Sequence, residues 1–225
     1  MDAYDAYKNE GREMTMIDKD ASKGENIALI QFAKRPVSGL VKTRLIPELG
    51  EAEATRVHET LLKKTLETLV DSGLGEVQLW WDKAWDDEAY LHQLDMTGKI
   101  KVFAQHGKDL GERMYHALSS QLEQFEKVIL VGSDCPVLSP DYLCLATDRL
   151  DSADMVLGPS DDGGYVLIGT TEIAPGCLEN VQWGTESVLE ATVANINSSG
   201  LKVALLNALW DVDVGDDYRR WKSQA

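Results

Sequence analysis

Beyond residue 26 the chain alternates short apolar runs, rich in β-branched and aromatic residues, with longer stretches whose apolar positions recur every three to four residues. The runs predict strands at 27–33 (IALIQFA), 76–82 (EVQLWWD), 100–105 (IKVFAQ), 127–134 (KVILVGSD), 154–159 (DMVLGP), 164–169 (GYVLIG) and 201–207 (LKVALLN). The intervening stretches predict helices at 51–71, 86–94, 111–125, 140–150, 185–197 and 215–222. Strands and helices alternating at these lengths imply right-handed βαβ units. The fold class is therefore α/β, Rossmann-like, with a mostly parallel sheet flanked by helices on both faces. GYVLIG follows its predecessor too closely for a helical crossover, which predicts an antiparallel or edge strand. No repeat or linker interrupts the pattern, so 27–225 reads as one domain. Residues 1–26 are polar and aperiodic, and read as a disordered tail.

Composition narrows the class of function. A formal net charge of -16 excludes a nucleic acid or an anionic membrane as partner, because binding to phosphate backbones rests on Lys and Arg. A small anion would need local cations, helped by a metal. Cys135, Cys144 and Cys177 form no CxxC pair, so they read as inert thiols in a reducing compartment. No run approaches the roughly 20 apolar residues of a membrane span, and no apolar signal segment opens the chain, so a cytoplasmic protein is expected.

An open α/β sheet places its ligands outside the carboxyl ends of its strands, so the candidate chemistry lies in the segments that follow them. After the first strand, AKRPVSGLVKTRL (33–45) carries Lys34, Arg35, Lys42 and Arg44, while Ser38 and Gly39 offer backbone donors that suit a phosphate. A solvated basic loop is the plainer alternative. A P-loop is excluded, since Val41 stands where G-x-x-x-x-G-K-[ST] needs its second glycine. Replacing Lys42 or Arg44 is expected to leave the fold intact, because a loop cation seldom carries core stability. GSDCP (132–136) sets Ser133 and Asp134 at a strand end, where a carboxylate can hold a hard cation or merely cap a turn. PSDDGGY (159–165) holds Asp161, Asp162, Gly163, Gly164 and Tyr165 in a tight connection that is either a plain hairpin or a substrate-binding loop.

In WDVDVGDDY (210–218), Asp211 and Asp213 alternate and share one face of an extended backbone, where two carboxylates repel unless a cation or a proton intervenes. Asp216 and Asp217 read as first-turn acids of the last helix. QHGKDLGERMYHAL (105–118) reads as a helix start capped by Asp109 with Glu112, leaving Gly111 and Arg113 as contacts to a base or a phosphate. His58, His92, His106 and His116 have no paired acid and are expected at the surface.

Taken in order, FAKRPVSGLVKTRL, DLGERM, GSDCP, DGGYVLIG, WGTESVL and DVDVGDDY resemble the nucleotide-diphospho-sugar transferase superfamily of the glycosyltransferase-A fold. Within it they resemble a bacterial family of uncharacterised glycosyltransferase-like proteins, some labelled arsenosugar-biosynthesis or radical-SAM-associated transferases. The chain is more distantly similar to 2-phospho-L-lactate and molybdenum-cofactor guanylyltransferases. That likeness implies Lys42 and Arg44 on nucleotide phosphates, Asp134 on Mg²⁺ (or Mn²⁺), and Asp213 or Asp211 completing the metal site. The chain lacks the paired glycines of G-G-x-S-x-R-x-G at 33–40, and Ser133 and Cys135 flank a single acid where many sugar transferases have D-x-D. The expected function is Mg²⁺-dependent glycosyl transfer from a nucleotide-sugar to a small acceptor. The alternatives are nucleotidyl transfer from an NTP with release of pyrophosphate, and nucleotide binding without catalysis.

Overall fold

The computed structural model describes residues 26–85, 88–94 and 100–224. The expected tail, apart from Asn26, lies outside them. Seven strands form one sheet: β1 (Ile27–Ala33), β2 (Glu76–Trp81), β3 (Lys101–Ala104), β4 (Lys127–Val131), β5 (Met155–Pro159), β6 (Tyr165–Thr170) and β7 (Val203–Leu205), in the order β3-β2-β1-β4-β6-β5-β7. Every neighbouring pair is parallel except the two made by β6, which runs antiparallel to both β4 and β5. GYVLIG is antiparallel, as its short connection demands. It lies inside the sheet rather than at an edge, because the hairpin before it folds it back into the gap between β4 and β5.

Among the described residues six α-helices accompany the sheet: α1 (Ile46–Ser72), α2 (Glu88–Leu94), α3 (Leu110–Leu122), α4 (Pro140–Arg149), α5 (Val188–Ser198) and α6 (Gly215–Ser223). Side chains on a strand point alternately to its two faces. Ile27 and Leu29 of β1, with Leu79, Ile129 and Leu167, meet Leu62 and Leu66 of α1 and Leu143 and Ala146 of α4. Ala28, Ile30 and Phe32, with Leu130 and Ile168, meet Met114 and Leu118 of α3 and Ile196 of α5. Burial on both faces explains why the five inner strands read as continuous apolar runs rather than as alternating ones, whereas the edge strands β3 and β7 are partly exposed. The helix expected from 51 starts one turn earlier in outline, but Gly50 (φ 76°, ψ 161°) breaks that first turn from the rest. Among the described residues no helix is long and apolar enough to cross a membrane.

A third apolar cluster sets the geometry of the site. Leu45 from the basic loop, Val57 and Leu61 of α1, and Trp210 and Val212 pack together, with Tyr218 and Trp221 of α6 against them. The loop after β1 and the segment after β7 are thereby held on one side of the sheet's carboxyl edge.

Candidate functional site

The strand ends are tied together before any ligand-facing group appears. Gln31, wholly buried in β1, donates from Nε2 to the Leu62 carbonyl (3.0 Å) and to Ser133 Oγ (2.9 Å), and the Ser133 hydroxyl donates to the Phe32 carbonyl (2.8 Å). Ser133 therefore spends its hydroxyl joining β4 to β1. The next residue, Asp134, accepts at its backbone carbonyl from the Val212 N–H (2.9 Å), which joins GSDCP to the 210–214 segment.

These ties frame a cavity of about 640 Å³ lined by Lys34, Val41, Lys42, Thr43, Arg44, His58, Asp82, Gln105, Arg113, Asp134, Asp162 and Asp213, among others. Lys42 has a left-handed backbone (φ 46°, ψ 42°), and its side chain is only 3% exposed. Its Nζ donates to the Val212 carbonyl (2.5 Å) and stands 2.8 Å from Asp134 Oδ1. The expectation that Lys42 can be replaced without loss to the fold is thus corrected: it is an internal tie between three segments. Asp134 Oδ1 is buried against this ammonium, yet the side chain as a whole is 45% exposed, so Oδ2 is the oxygen offered to the cavity. Burial alone would push the Asp134 carboxyl up. The charge and contact of Lys42, with His58 and Lys34 beyond, outweigh burial and hold it below its ordinary value.

Arg44 is 67% exposed and pairs with Asp213 at the cavity rim. Lys34 and Arg113 line the cavity with no described carboxylate in ion-pair contact, although Arg113 Nε donates to the Gly107 carbonyl (3.2 Å). They are the cations best placed to meet an anion.

The structure also brings in groups that the sequence did not single out. His58 on α1 is 4% exposed, and its Nε2–H donates to the Lys34 carbonyl (2.8 Å) at the end of β1. Burial, opposed by that hydrogen bond and by the Asp134 charge, pulls its pKa below the ordinary value, so the ring is neutral at pH 7. The expectation of a surface histidine fails here because α1 turns this position onto the sheet edge; His92, His106 and His116 are exposed. Asp82, after β2, accepts from the Arg35 backbone N–H (3.0 Å), and Gln105 donates to the Trp80 carbonyl (2.8 Å). Both follow strands, and that position was the one signal available for them.

Other expected residues lie elsewhere. Ser38 and Gly39 sit on the outer side of the basic loop beside Glu51, away from the cavity lining. Gly111 lines neither cavity: a Cβ there would lie 2.5 Å from the Leu178 carbonyl oxygen and 3.0 Å from the Trp183 ring, so its smallness serves packing. Asp161 pairs with Arg220 (3.3 Å), whereas Asp162 lines the cavity and accepts from the Gly164 N–H (3.0 Å). Gly163 (φ 86°) presses against Glu186, and Gly164 and Tyr165 line a second, adjoining cavity. Asp211 and Asp213 do not act as one pair. Asp213 lines the large cavity, whereas Asp211 lines the second and accepts from Ser160 Oγ (3.0 Å). The Asp217 carboxylate accepts from the N–H groups of Asp213 (3.0 Å) and Val214 (2.9 Å), as a first-turn acid should.

Among the described residues no group of three or more His, Cys, Asp and Glu is arranged to hold a metal. Mg²⁺ usually takes only one or two carboxylates and completes its shell with water and substrate phosphates. The open oxygen of Asp134 and the rim carboxylate of Asp213 fit that mode of binding.

Comparison with known proteins adds family to geometry. Over 163 residues the chain is 26% identical to the 2-phospho-L-lactate guanylyltransferase of Methanosarcina barkeri (strain Fusaro / DSM 804), covering 72% of this chain and 71% of that one. A Desulfovibrio desulfuricans G20 protein provisionally named a nucleotide-diphospho-sugar transferase superposes with a TM-score of 0.77 at 28% identity, covering 84% of this chain and 83% of that one. A Mycobacterium tuberculosis H37Rv protein, solved in complex with manganese, shares the fold at a TM-score of 0.55 and 17% identity, covering 89% of this chain and 100% of that one. The model of a family described as uncharacterised proteins conserved in bacteria (DUF2064) matches residues 65–185, more than half of the chain and including GSDCP and DGGY, and the chain belongs to that family.

Proposed function

We propose that the chain is a metal-dependent nucleotidyltransferase, built as a single domain, that moves a nucleotidyl group from an NTP to a small acceptor. The observation that carries this reading is one cavity at the strand carboxyl ends where Lys34, Arg44 and Arg113 face Asp134 and Asp213. The chain is a transferase, as its relatives are. Nucleotidyl transfer is favoured over glycosyl transfer by the guanylyltransferase relatives, which match about three-quarters of the chain. Three free thiols suit a reducing, cytoplasmic setting.

Asp134 and Asp213 would hold Mg²⁺ or Mn²⁺, which when bound supplies Lewis-acid polarisation of the phosphoryl oxygens. Lys42 keeps Asp134 ionised and aimed, with Oδ1 turned inward and Oδ2 open. Lys34 and Arg113 neutralise phosphate charge, and a preorganised donor of this kind is worth about 3 kcal/mol of barrier. The Arg44 pair with Asp213 lies on the exposed rim, where such pairs contribute about 0–1 kcal/mol, so Arg44 can leave Asp213 for a phosphate at small cost. Cys135 is no nucleophile, since burial pushes its thiol up to about 11. Direct displacement by the acceptor follows.

Incubation with Mg²⁺, a panel of NTPs and of nucleotide-sugars, and candidate acceptors tests the proposal. Pyrophosphate release supports it. Release of nucleoside diphosphate from a nucleotide-sugar would establish glycosyl transfer instead, and binding without turnover would sink both. Asp134→Asn is expected to lower turnover by about a hundredfold while the protein stays folded.

A further inference from the structure

A second cavity of about 240 Å³ opens beside the first and shares Phe32, Leu110, Gly132, Asp162 and Gly184 with it. Its wall is largely apolar and aromatic: it includes Met114 and Phe32, and the rings of Tyr165 and Trp183 stand 6.3 Å apart at 80°. Among the described residues no lysine or arginine lines it, whereas two carboxylates, Asp162 and Asp211, do. Asp162 accepts from the Gly164 N–H (3.0 Å) and Asp211 from the Ser160 hydroxyl (3.0 Å), and neither has an ion-pair partner among the described residues. A positive charge is the missing neighbour.

We propose that this cavity is the acceptor subsite and that it selects a cationic amino alcohol, a small molecule bearing both an ammonium group and a hydroxyl. The inference rests on the nucleotidyl-transfer reading and deepens it. Aromatic faces attract an ammonium ion, most of all one shielded from water, and Asp162 and Asp211 supply its counter-charge. An anionic acceptor would meet both carboxylates with no cation in the wall to offset them. The relatives named for 2-phospho-L-lactate have an acceptor of the opposite charge, so this chain would differ from them in the class of molecule modified.

With the ammonium seated against Tyr165 and Trp183, the hydroxyl lies toward the junction at Gly132 and Asp162. Its oxygen forms a bond to the α-phosphorus of the NTP, and the bond from that phosphorus to the bridging oxygen breaks. The electron pair leaves with pyrophosphate, and the hydroxyl proton passes to the Asp162 carboxylate common to both cavities.

Three probes of graded charge test this on the full chain with Mg²⁺ in excess, using ligand-detected NMR: choline, its neutral isostere 3,3-dimethylbutan-1-ol, and 2-phospholactate. Choline is expected to bind about tenfold tighter than the neutral alcohol, 2-phospholactate is expected not to displace it, and Asp211→Asn is expected to erase most of the difference. Equal binding of the two alcohols, or displacement of choline by 2-phospholactate, overturns the proposal using the wild-type protein alone. A metal seated on Asp162 and Asp211 would also cancel the preference for choline and overturn it. Pyrophosphate release is measured separately: its absence with every NTP, while the choline preference holds, sinks the transfer reading and not the charge preference of the cavity. Its release with 2-phospholactate as acceptor sinks the acceptor assignment and keeps the transfer.

Discussion

Lys42 and Arg44 stand two residues apart in one loop, yet the structure gives them different work. Lys42 is buried with its ammonium between the Val212 carbonyl and Asp134, and Arg44 is exposed on the rim. Lys42→Met keeps the apolar stem but leaves Asp134 Oδ1 buried without its cation. It is expected to cost about 2–3 kcal/mol of stability, whereas Arg44→Ala is expected to stay within about 0.5 kcal/mol of wild type. Urea midpoints at constant m-value measure both, and equal midpoints would return Lys42 to the solvated loop.

His58 offers a second residue-level prediction, with a definite sign. Its folded pKa lies below the unfolded value of 6.5, so below that pH the unfolded chain binds the proton more readily than the folded one. The His58 contribution is fully present above pH 6.5 and is lost as the pH falls from there toward the folded pKa. Stability of wild type and His58→Gln at pH 7.5 and pH 5 should show a smaller pH dependence in the variant; identical slopes would remove His58 as the cause. The thiols give a third. At pH 8 about one Cys135 side chain in a thousand is thiolate, and Cys135 and Cys177 are buried, so partly exposed Cys144 should take up an alkylating reagent first.

At the scale of elements, the hairpin between β5 and β6 decides the topology near the site. Ser160 N–H donates to the Gly164 carbonyl (3.0 Å), Gly163 N–H donates back to Ser160 (3.1 Å), and Leu189 N–H at the start of α5 reaches the Gly163 carbonyl (2.9 Å). At Gly163 the φ of 86° and a Glu186 carbonyl oxygen 2.2 Å from any added Cβ exclude other residues. Gly163→Ala should therefore destabilise by about 2–4 kcal/mol, combining left-handed strain with overpacking. Because the same turn carries Asp162, the variant should lose turnover in the fraction that remains folded. Thermal melting and activity measured together check this, and an unchanged melting temperature would contradict the packing argument.

The whole molecule carries a net charge of -16, and the proposed function asks it to bind an anion. The fold answers by gathering Lys34, Arg44 and Arg113 from two sheet-edge segments around one cavity, while cations such as Arg56, Lys63 and Arg219 pair along the surface. Under the proposed function, local cations alone would leave the carboxylates Asp134 and Asp213 facing the nucleotide, so removal of divalent metal with EDTA is expected to weaken nucleotide binding by about tenfold or more. Calorimetric titration with and without metal decides it.

Among the described residues the strands, helices and strand-end segments that form the cavity follow from the sequence alone, because the five inner strands, buried on both faces, must be written as apolar runs and helices as periodic ones. Asp134 and the basic loop were legible for the same reason, since each directly follows such a run. Strand order, the interior place of β6, the burial of Lys42 and His58, and the parting of Asp211 from Asp213 were decided only in three dimensions. Each depends on which distant segment packs alongside: α1 covers His58, the 210–214 segment closes over Lys42, and Ser160 draws Asp211 into the second cavity. Local pattern fixes what a residue can do, whereas contacts between segments far apart in the chain decide its burial, its partner and its charge.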